Sequence, residues 1–198
     1  KFTSIVIDSI WLKNEKELFM GTAVYSKYLF VFAVSIPVII RIDTTDNSID
    51  YITDWKEKVE SIIFNSNDAF FRKQSILLDG KIFIPFCNVN AILEIDGESL
   101  ETTIHQLGNE KEGYSGICFS KGNVWLSPRY HKRLTKWNIE TNDVQKIELL
   151  NHKNEKYIYT GIVNKRNSKF LLHAIEGRKT IVDEKNKIYE LDGNYSFT

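Results

Sequence analysis

Apolar and polar residues alternate along this chain in short runs that predict β-strands. Runs rich in Val, Ile, Leu and aromatic residues are interrupted by Gly, Asn and Asp at intervals of roughly 8–12 residues, a spacing typical of all-β proteins. The clearest unit has strands at 115–119, 123–127, 133–139 and 144–150. Its first turn is Lys121-Gly122, where glycine supplies the positive φ that a two-residue hairpin requires. The pattern predicts a unit of four antiparallel strands.

This unit recurs along the chain at a period that is typical of repeat proteins. Asp96 and Asn138, which end corresponding strands, are 42 residues apart. Asp43 and Asp183 mark fainter copies, at spacings of 53 residues before Asp96 and 45 residues after Asn138. The sequence therefore predicts four units, at about 18–54, 71–107, 114–150 and 157–192.

A four-stranded sheet repeated at this spacing predicts an all-β fold, a β-propeller of four-stranded antiparallel blades. One sheet has two faces to bury, and neighbouring sheets packed radially cover both. The alternative is a β-sandwich with an accidental internal similarity. Residues 1–12 are either an outer strand that closes a small ring or the remnant of a further blade of a larger one. Residues 55–64 fit either a short helix or a displaced outer strand.

The composition argues against two classes of partner. Lys and Arg number 26, as do Asp and Glu, so the bulk charge gives no attraction to nucleic acid or to an acidic membrane surface. No apolar run reaches the length of a membrane-spanning helix.

Cys87 and Cys118 are most simply buried residues in a reducing compartment. We therefore expect a cytoplasmic protein with no metal and no other cofactor.

Polar side chains are frequent in the loops that join the second and third strands of the second, third and fourth units, whereas the corresponding loop of the first unit, residues 34–37, is apolar. In a propeller these loops share one face, because the same loop of every blade emerges on the same side. Arginine binds carboxylate and phosphate groups in bidentate fashion, which predicts a binding face. The expected ligand-binding residues are Asn88, Arg129, Tyr130, His131, His173, Glu176 and Arg178.

Four of these side chains, Arg129, His131, His173 and Arg178, are expected to surround one depression. Such a group of cationic and titratable residues needs acids such as Glu112 or Glu176, or an anionic ligand, to offset its charge. Two alternatives stay open. The segment 129–133 can be an exposed hairpin tip, and His173 can be a structural histidine.

Residues 116–127 resemble the repeat of bacterial streptogramin lyase-like propellers and, more loosely, that of gluconolactonase-like propellers. The shared features are a glycine before an apolar strand, a Gly-Asn turn, and Trp125 between apolar residues. The resemblance implies the propeller fold and a bacterial source. Lyase and lactonase members bind a divalent metal with carboxylates, histidines or asparagines on the channel face. The candidates for that role here are Asn88, Glu112 and His173.

Two functions follow as hypotheses. The first is a non-enzymatic binding propeller that recognises a small polar or anionic ligand, a glycan or a protein partner. The second is a metal-dependent lyase or lactone hydrolase of the propeller type. Arginines and aromatic residues outnumber acidic and imidazole groups in the loops that are expected to converge, which favours the first.

Overall fold

The computed structural model describes residues 19–34, 36–149, 159–165, 169–174 and 179–191. Two of the expected ligand-binding residues, Glu176 and Arg178, lie outside the described residues, as does the segment 1–12.

The described residues form four antiparallel sheets, and in each sheet four strands that are consecutive in the chain lie side by side. The first sheet consists of β1 (Phe19–Tyr25), β2 (Tyr28–Ala33), β3 (Ile39–Asp43) and β4 (Ile49–Ile52). The second sheet consists of β5 (Ile76–Leu78), β6 (Lys81–Pro85), β7 (Ala91–Asp96) and β8 (Thr102–Gln106). The third sheet consists of β9 (Tyr114–Ser120), β10 (Asn123–Pro128), β11 (Arg133–Asn138) and β12 (Val144–Glu148). The fourth sheet consists of β13 (Tyr159–Lys165), β14 (Lys169–Ala174), β15 (Lys179–Asp183) and β16 (Ile188–Leu191), and each sheet is one blade.

One helix, α1 (Trp55–Val59), lies between the first two sheets, and a short 3-10 turn at Glu60–Ile62 follows it. Trp55 and Val59 are fully buried, so the insertion packs its apolar side onto the protein. Of the two structures that the sequence allows for this segment, the short helix is the one formed. No helix in the described ranges is long and apolar enough to cross a membrane.

The hydrophobic core is divided among the spaces between successive sheets. Phe30, Phe83 and Trp125 occupy the same place in the second strand of three blades, and each faces the next blade. Trp125, for example, stacks on Phe170 of the fourth blade with ring centroids 4.1 Å apart. Burial on both faces of each sheet is the physical basis of a propeller. The predicted all-β propeller is therefore confirmed, and over the described residues its sheets do not close into a ring.

The repeating Asp or Asn has a structural cause. Asp43, Asp96, Asn138 and Asp183 each end the third strand of a blade, and their Oδ1 atoms accept backbone N–H groups two to four residues further on at 2.8–3.0 Å. Such side-chain-to-backbone hydrogen bonds form the turn into the fourth strand. Because every blade needs this turn, the residue recurs in the sequence.

The first strand of each blade (β1, β5, β9 and β13) is its innermost strand, and close contacts recur at one position along these strands. Gly21, Gly116 and Gly161 each lie four residues before the end of the innermost strand. A Cβ atom on Gly116 would lie 2.6 Å from the Cα of Gly161, and one on Gly21 would lie 2.7 Å from the carbonyl oxygen of Arg72. Only glycine leaves enough room for such contacts. Counting back from the hairpin of the second blade places Gln74 at the corresponding position.

Candidate functional site

A cavity of about 560 Å³ lies where the innermost strands of all four blades begin. Four strand residues of the first, third and fourth blades and four residues outside the strands line it: Met20, Ser115, Tyr159 and Thr160, and Asp68, Arg72, Lys73 and Arg129. We call this cavity the central pocket.

Backbone irregularities direct side chains into the central pocket. The pairing of the first and second strands shifts by one residue at Met20, Ser115 and Thr160 in the first, third and fourth blades. A β-bulge of this kind leaves one residue without a partner and changes the direction of its side chain. Lys73 stands at the matching position of the second blade, directly before Gln74. Three blades thus direct a side chain into the pocket by a β-bulge, and the second blade supplies Lys73 from the segment before β5.

Arg129 lines the pocket, but its charge is already compensated. Its Nε and Nη2 atoms donate to the two carboxylate oxygens of Asp68 at 2.6 and 2.5 Å, which is a bidentate ion pair. The Tyr130 hydroxyl donates to the same carboxylate. The Tyr130 ring meets that of Phe64 edge-on at 5.6 Å. These contacts fix Arg129 and Asp68 as one neutral unit of the wall.

Arg72 differs because no carboxylate pairs with it among the described residues. Its Nε atom is buried and has no hydrogen-bond partner there, while Nη1 lies 3.9 Å from the thioether sulfur of Met20. The Arg72 side chain also lies within hydrogen-bonding reach of Cys87, whose thiol pKa burial raises to about 12. Cys87 is therefore neutral at ordinary pH and does not compensate the Arg72 charge.

A second group of charged residues surrounds Glu112, and we call it the Glu112 cluster. The Glu112 side chain is only 2% exposed. It accepts hydrogen bonds from Lys146 Nζ at 2.6 Å and from Arg133 Nη2. Burial alone would raise the pKa of Glu112, but the hydrogen bond from Lys146 and the nearby positive charges hold it below its usual range. Glu112 is therefore an anion whose partners are all supplied by the protein.

His131 belongs to this cluster as a neutral imidazole. Burial lowers the pKa of His131 to about 4. Its Nε2 atom lies 3.2 Å from the carbonyl oxygen of Gly113, and its Nδ1 atom accepts the backbone N–H of Arg133 at 3.3 Å. This pattern requires the tautomer with the proton on Nε2. The 3.7 Å separation of Nδ1 from Glu112 is therefore not an ion pair at neutral pH.

The remaining residues expected from the sequence lie in different surroundings. Asn88 is fully buried in the loop between β6 and β7, and within the described part of the chain neither of its carboxamide atoms has a partner. The His173 side chain is exposed, while its carbonyl oxygen accepts a hydrogen bond from Thr160 of the pocket wall at 3.3 Å. The structure thus brings Arg129 and Tyr130 together around Asp68, and it places His131 in a separate cluster.

Sequence reasoning missed Asp68, Arg72 and Lys73. All three precede β5, in a connection between blades, whereas the residues expected from the sequence belong to the loops between second and third strands. A usable signal exists for Lys73. The residue directly before the inner glycine lines the pocket in three blades, and alignment on the hairpin turns gives Lys73 as its counterpart in the second.

The residues of the central pocket do not fit a divalent metal ion. Over the described ranges no three His, Cys, Asp or Glu side chains converge in a way that could hold one. The acid that lines the pocket, Asp68, is bound to Arg129, and Arg72 and Lys73 add positive charge. Divalent cations need several anionic or neutral oxygen or nitrogen donors, and cations beside the site oppose their binding.

Comparison with known proteins supports the architecture. The sequence matches no protein-family model and no curated protein. A structure of virginiamycin B lyase from Staphylococcus aureus has a TM-score of 0.70 at 17% identity, covering 90% of this chain and 57% of that one. A streptogramin B lyase structure has a TM-score of 0.70 at 14% identity, covering 91% and 56%.

The WD40 repeats of RRP9 are also similar, with a TM-score of 0.65 at 10% identity, covering 91% of this chain and 53% of that one. The chain therefore spans a little over half the length of the lyase chains. At sequence identities this low, structural similarity indicates a shared fold but not a shared activity. Together with the four-stranded blades, these similarities show that the chain is a β-propeller repeat protein.

Proposed function

We propose that this protein is a non-enzymatic binding propeller that takes a small anionic ligand in the central pocket, with Arg72 as the principal contact. The observation that carries the proposal is the buried Nε atom of Arg72, which has no partner among the described residues. A buried donor without a partner costs free energy, and more so when it belongs to a charged group. An anionic ligand beside the guanidinium group would compensate its charge.

The charges of the pocket wall support an anion as the ligand. Among the described residues that line the pocket, Arg72, Lys73 and Arg129 are cations and Asp68 is the one acid. Because Asp68 compensates Arg129, two positive charges remain. A guanidinium group binds a carboxylate or a phosphate through two parallel hydrogen bonds, and a lysine adds a mobile point charge.

Three features of the structure support binding without catalysis. The Ser115 hydroxyl is bonded to Ser127 at 3.2 Å and to the carbonyl oxygen of Pro128 at 3.0 Å, and neither partner is a base that could activate it. The Tyr159 hydroxyl is hydrogen-bonded to the Thr180 hydroxyl at 2.7 Å. His131, a potential base by residue type, lies in the Glu112 cluster.

Calorimetric titration with inorganic phosphate and with succinate tests the proposal. Arg72→Ala should weaken binding by about 10- to 100-fold, the range expected for losing hydrogen bonds to a charged group. Arg41→Ala is the matched control, since Arg41 is compensated by Asp50 at 2.6 and 2.9 Å in the outer strands of the first blade. This control should bind both anions as the wild type does.

Equal affinities of the wild type and the Arg72→Ala variant would overturn the proposal, as would the absence of binding in the wild type. The alternative function, a metal-dependent lyase or lactone hydrolase, has fold similarity as its support. Ring opening of a lactone by the purified protein, dependent on an added divalent cation, would favour that alternative.

A further inference from the structure

The Gln74 side chain lies in the space between the inner strands of the second, third and fourth blades, which we call the axis, and Gln74 directly follows Lys73 of the central pocket in the chain. The pocket is lined by the residues that precede the inner position of each blade, which are Met20, Lys73, Ser115 and Thr160. At the inner position itself, three blades have glycine and the second has Gln74. One long side chain thus lies where the other blades have none.

The Gln74 carboxamide is held by two hydrogen bonds to a single residue of the fourth blade. Nε2 donates to the carbonyl oxygen of Ile162 at 2.9 Å, and Oε1 accepts the N–H of the same residue at 3.0 Å. Because β13 is the edge strand of its sheet, these backbone groups have no neighbouring strand. A carboxamide has the same donor and acceptor as a peptide group, so Gln74 satisfies this edge as a strand would.

The glycines of the neighbouring blades make this placement possible. A Cβ atom on Gly161 would lie 2.9 Å from Oε1 of Gln74, and one on Gly116 would lie closer still. Side chains at those positions would therefore displace the carboxamide. The glycines and the glutamine form one arrangement in which a single side chain fills the axis.

We propose that Gln74 closes the axis below the central pocket, and that the pocket is therefore a blind site for terminal anionic groups. This inference rests on the proposed function. A phosphate monoester or a terminal carboxylate can place its charge beside Arg72 and Lys73 while the rest of the ligand extends outward through the mouth. A phosphodiester carries substituents on both sides of its charge, and the side chain of Gln74 blocks the lower one. The site thus selects ligands by the position of the anionic group.

Phenyl phosphate and diphenyl phosphate are the probes for this selectivity. The wild type should bind the monoester and reject the diester. Gln74→Gly introduces the residue of the other blades, and it should raise the affinity for the diester about tenfold while changing that for the monoester by less than about threefold, a steric effect of the order seen when one packed group is removed. Gln106→Ala is the control, since its carboxamide bonds to Gly108 and Asn109 away from the axis.

Gln74→Ala and Gln74→Glu keep the test decisive if the glycine variant does not fold. The alanine variant should also gain diester binding. The glutamate variant places a carboxylate below the pocket and should weaken phenyl phosphate binding several-fold through repulsion. Hydrogen exchange at the Ile162 amide should accelerate in the alanine variant, which reports on the closed axis without any ligand.

The outcomes separate the two proposals. If the wild type binds neither ester but Ile162 exchange accelerates, the binding proposal fails while Gln74 still closes the axis. If the wild type binds phenyl phosphate and neither Gln74→Gly nor Gln74→Ala gains affinity for the diester, the blind-site inference is wrong and anion binding stands. The blind-site inference would also be overturned if Ile162 exchange is unchanged in Gln74→Ala and phenyl phosphate affinity is unchanged in Gln74→Glu.

Discussion

The central pocket and the Glu112 cluster both contain buried charged groups, but they differ in how those charges are compensated. Glu112 is 2% exposed and contacts two cationic side chains, Arg133 and Lys146. Arg72 has a buried Nε without a partner, and no carboxylate pairs with it in the residues described. A compensated buried charge stabilises a particular packing, whereas an uncompensated one is a candidate for ligand binding. The comparison shows that compensation, and not residue type, separates the two regions.

The loop 129–133 illustrates why residue type alone is insufficient. It carries three cations and a histidine, which predicts an anion-binding tip. In the structure Arg129 is paired with Asp68, and Arg133 with Glu112. The loop therefore uses its arginines to attach itself to neighbouring segments. Arg72, which has no notable sequence context, is left as the uncompensated arginine of the pocket wall.

The largest expected effect is on stability and concerns the Glu112 cluster. Glu112→Gln removes the counter-charge of Lys146 and the nearer carboxylate of Arg133, whose other carboxylate partner, Glu148, is exposed and lies 3.9 Å away. It should lower the free energy of unfolding by about 3 kcal/mol, as expected when a buried ion pair loses one partner. Denaturant titration measures this loss. Phosphate affinity should stay at the wild-type value. A loss below about 0.5 kcal/mol would show that the cluster behaves as an exposed surface pair.

The next effect is a pH dependence that arises from His131. Its pKa is about 4 in the folded protein and 6.5 ordinarily, so the unfolded chain takes up the proton first as the pH falls. Stability should therefore decrease from pH 6.5 towards pH 4, by about 2 kcal/mol at pH 5. Denaturant titrations across this range measure the slope.

The control for this prediction is His131→Gln, which cannot take up the proton and should show a much flatter profile above pH 5. The Glu112 carboxylate does not account for the same window. Its pKa lies below the usual range, so its contribution is present above the unfolded pKa and is lost as the pH falls through the folded pKa. Identical profiles for the variant and the wild type would contradict the neutral, buried state of His131.

The smallest expected effect concerns Lys73 in the central pocket. Lys73 is exposed, so its charge is screened by solvent and salt. Lys73→Ala should weaken phosphate binding about two- to fivefold and reduce the dependence of affinity on salt concentration. Titrations at low and high ionic strength measure both changes. A loss as large as that of Arg72→Ala would move the principal contact away from Arg72.

The blades were predictable from the sequence because local interactions define them. Asp96 and Asn138 recur since their side chains form the turn that each blade needs, and that turn involves residues two or three positions away. The central pocket was not predictable in the same way. The pairing of Asp68 with Arg129 joins positions 61 residues apart, and no local pattern reveals it. Gln74 replaces the glycine that would have marked the inner strand of the second blade, so Arg72 and Lys73 were not recognised beside it.

The contrast between the central pocket and the Glu112 cluster is tested most directly by the stabilisation that phosphate gives to two variants, Arg72→Gln and Glu112→Gln. With phosphate at about 100 times the wild-type dissociation constant, linkage predicts that the free energy of unfolding of the wild type rises by about 2.7 kcal/mol. Glu112→Gln should start from a lower stability and show the same rise. Arg72→Gln should start near the wild-type stability and show almost none. A full rise in Arg72→Gln, or its loss in Glu112→Gln alone, would contradict the assignment of the central pocket as the binding site.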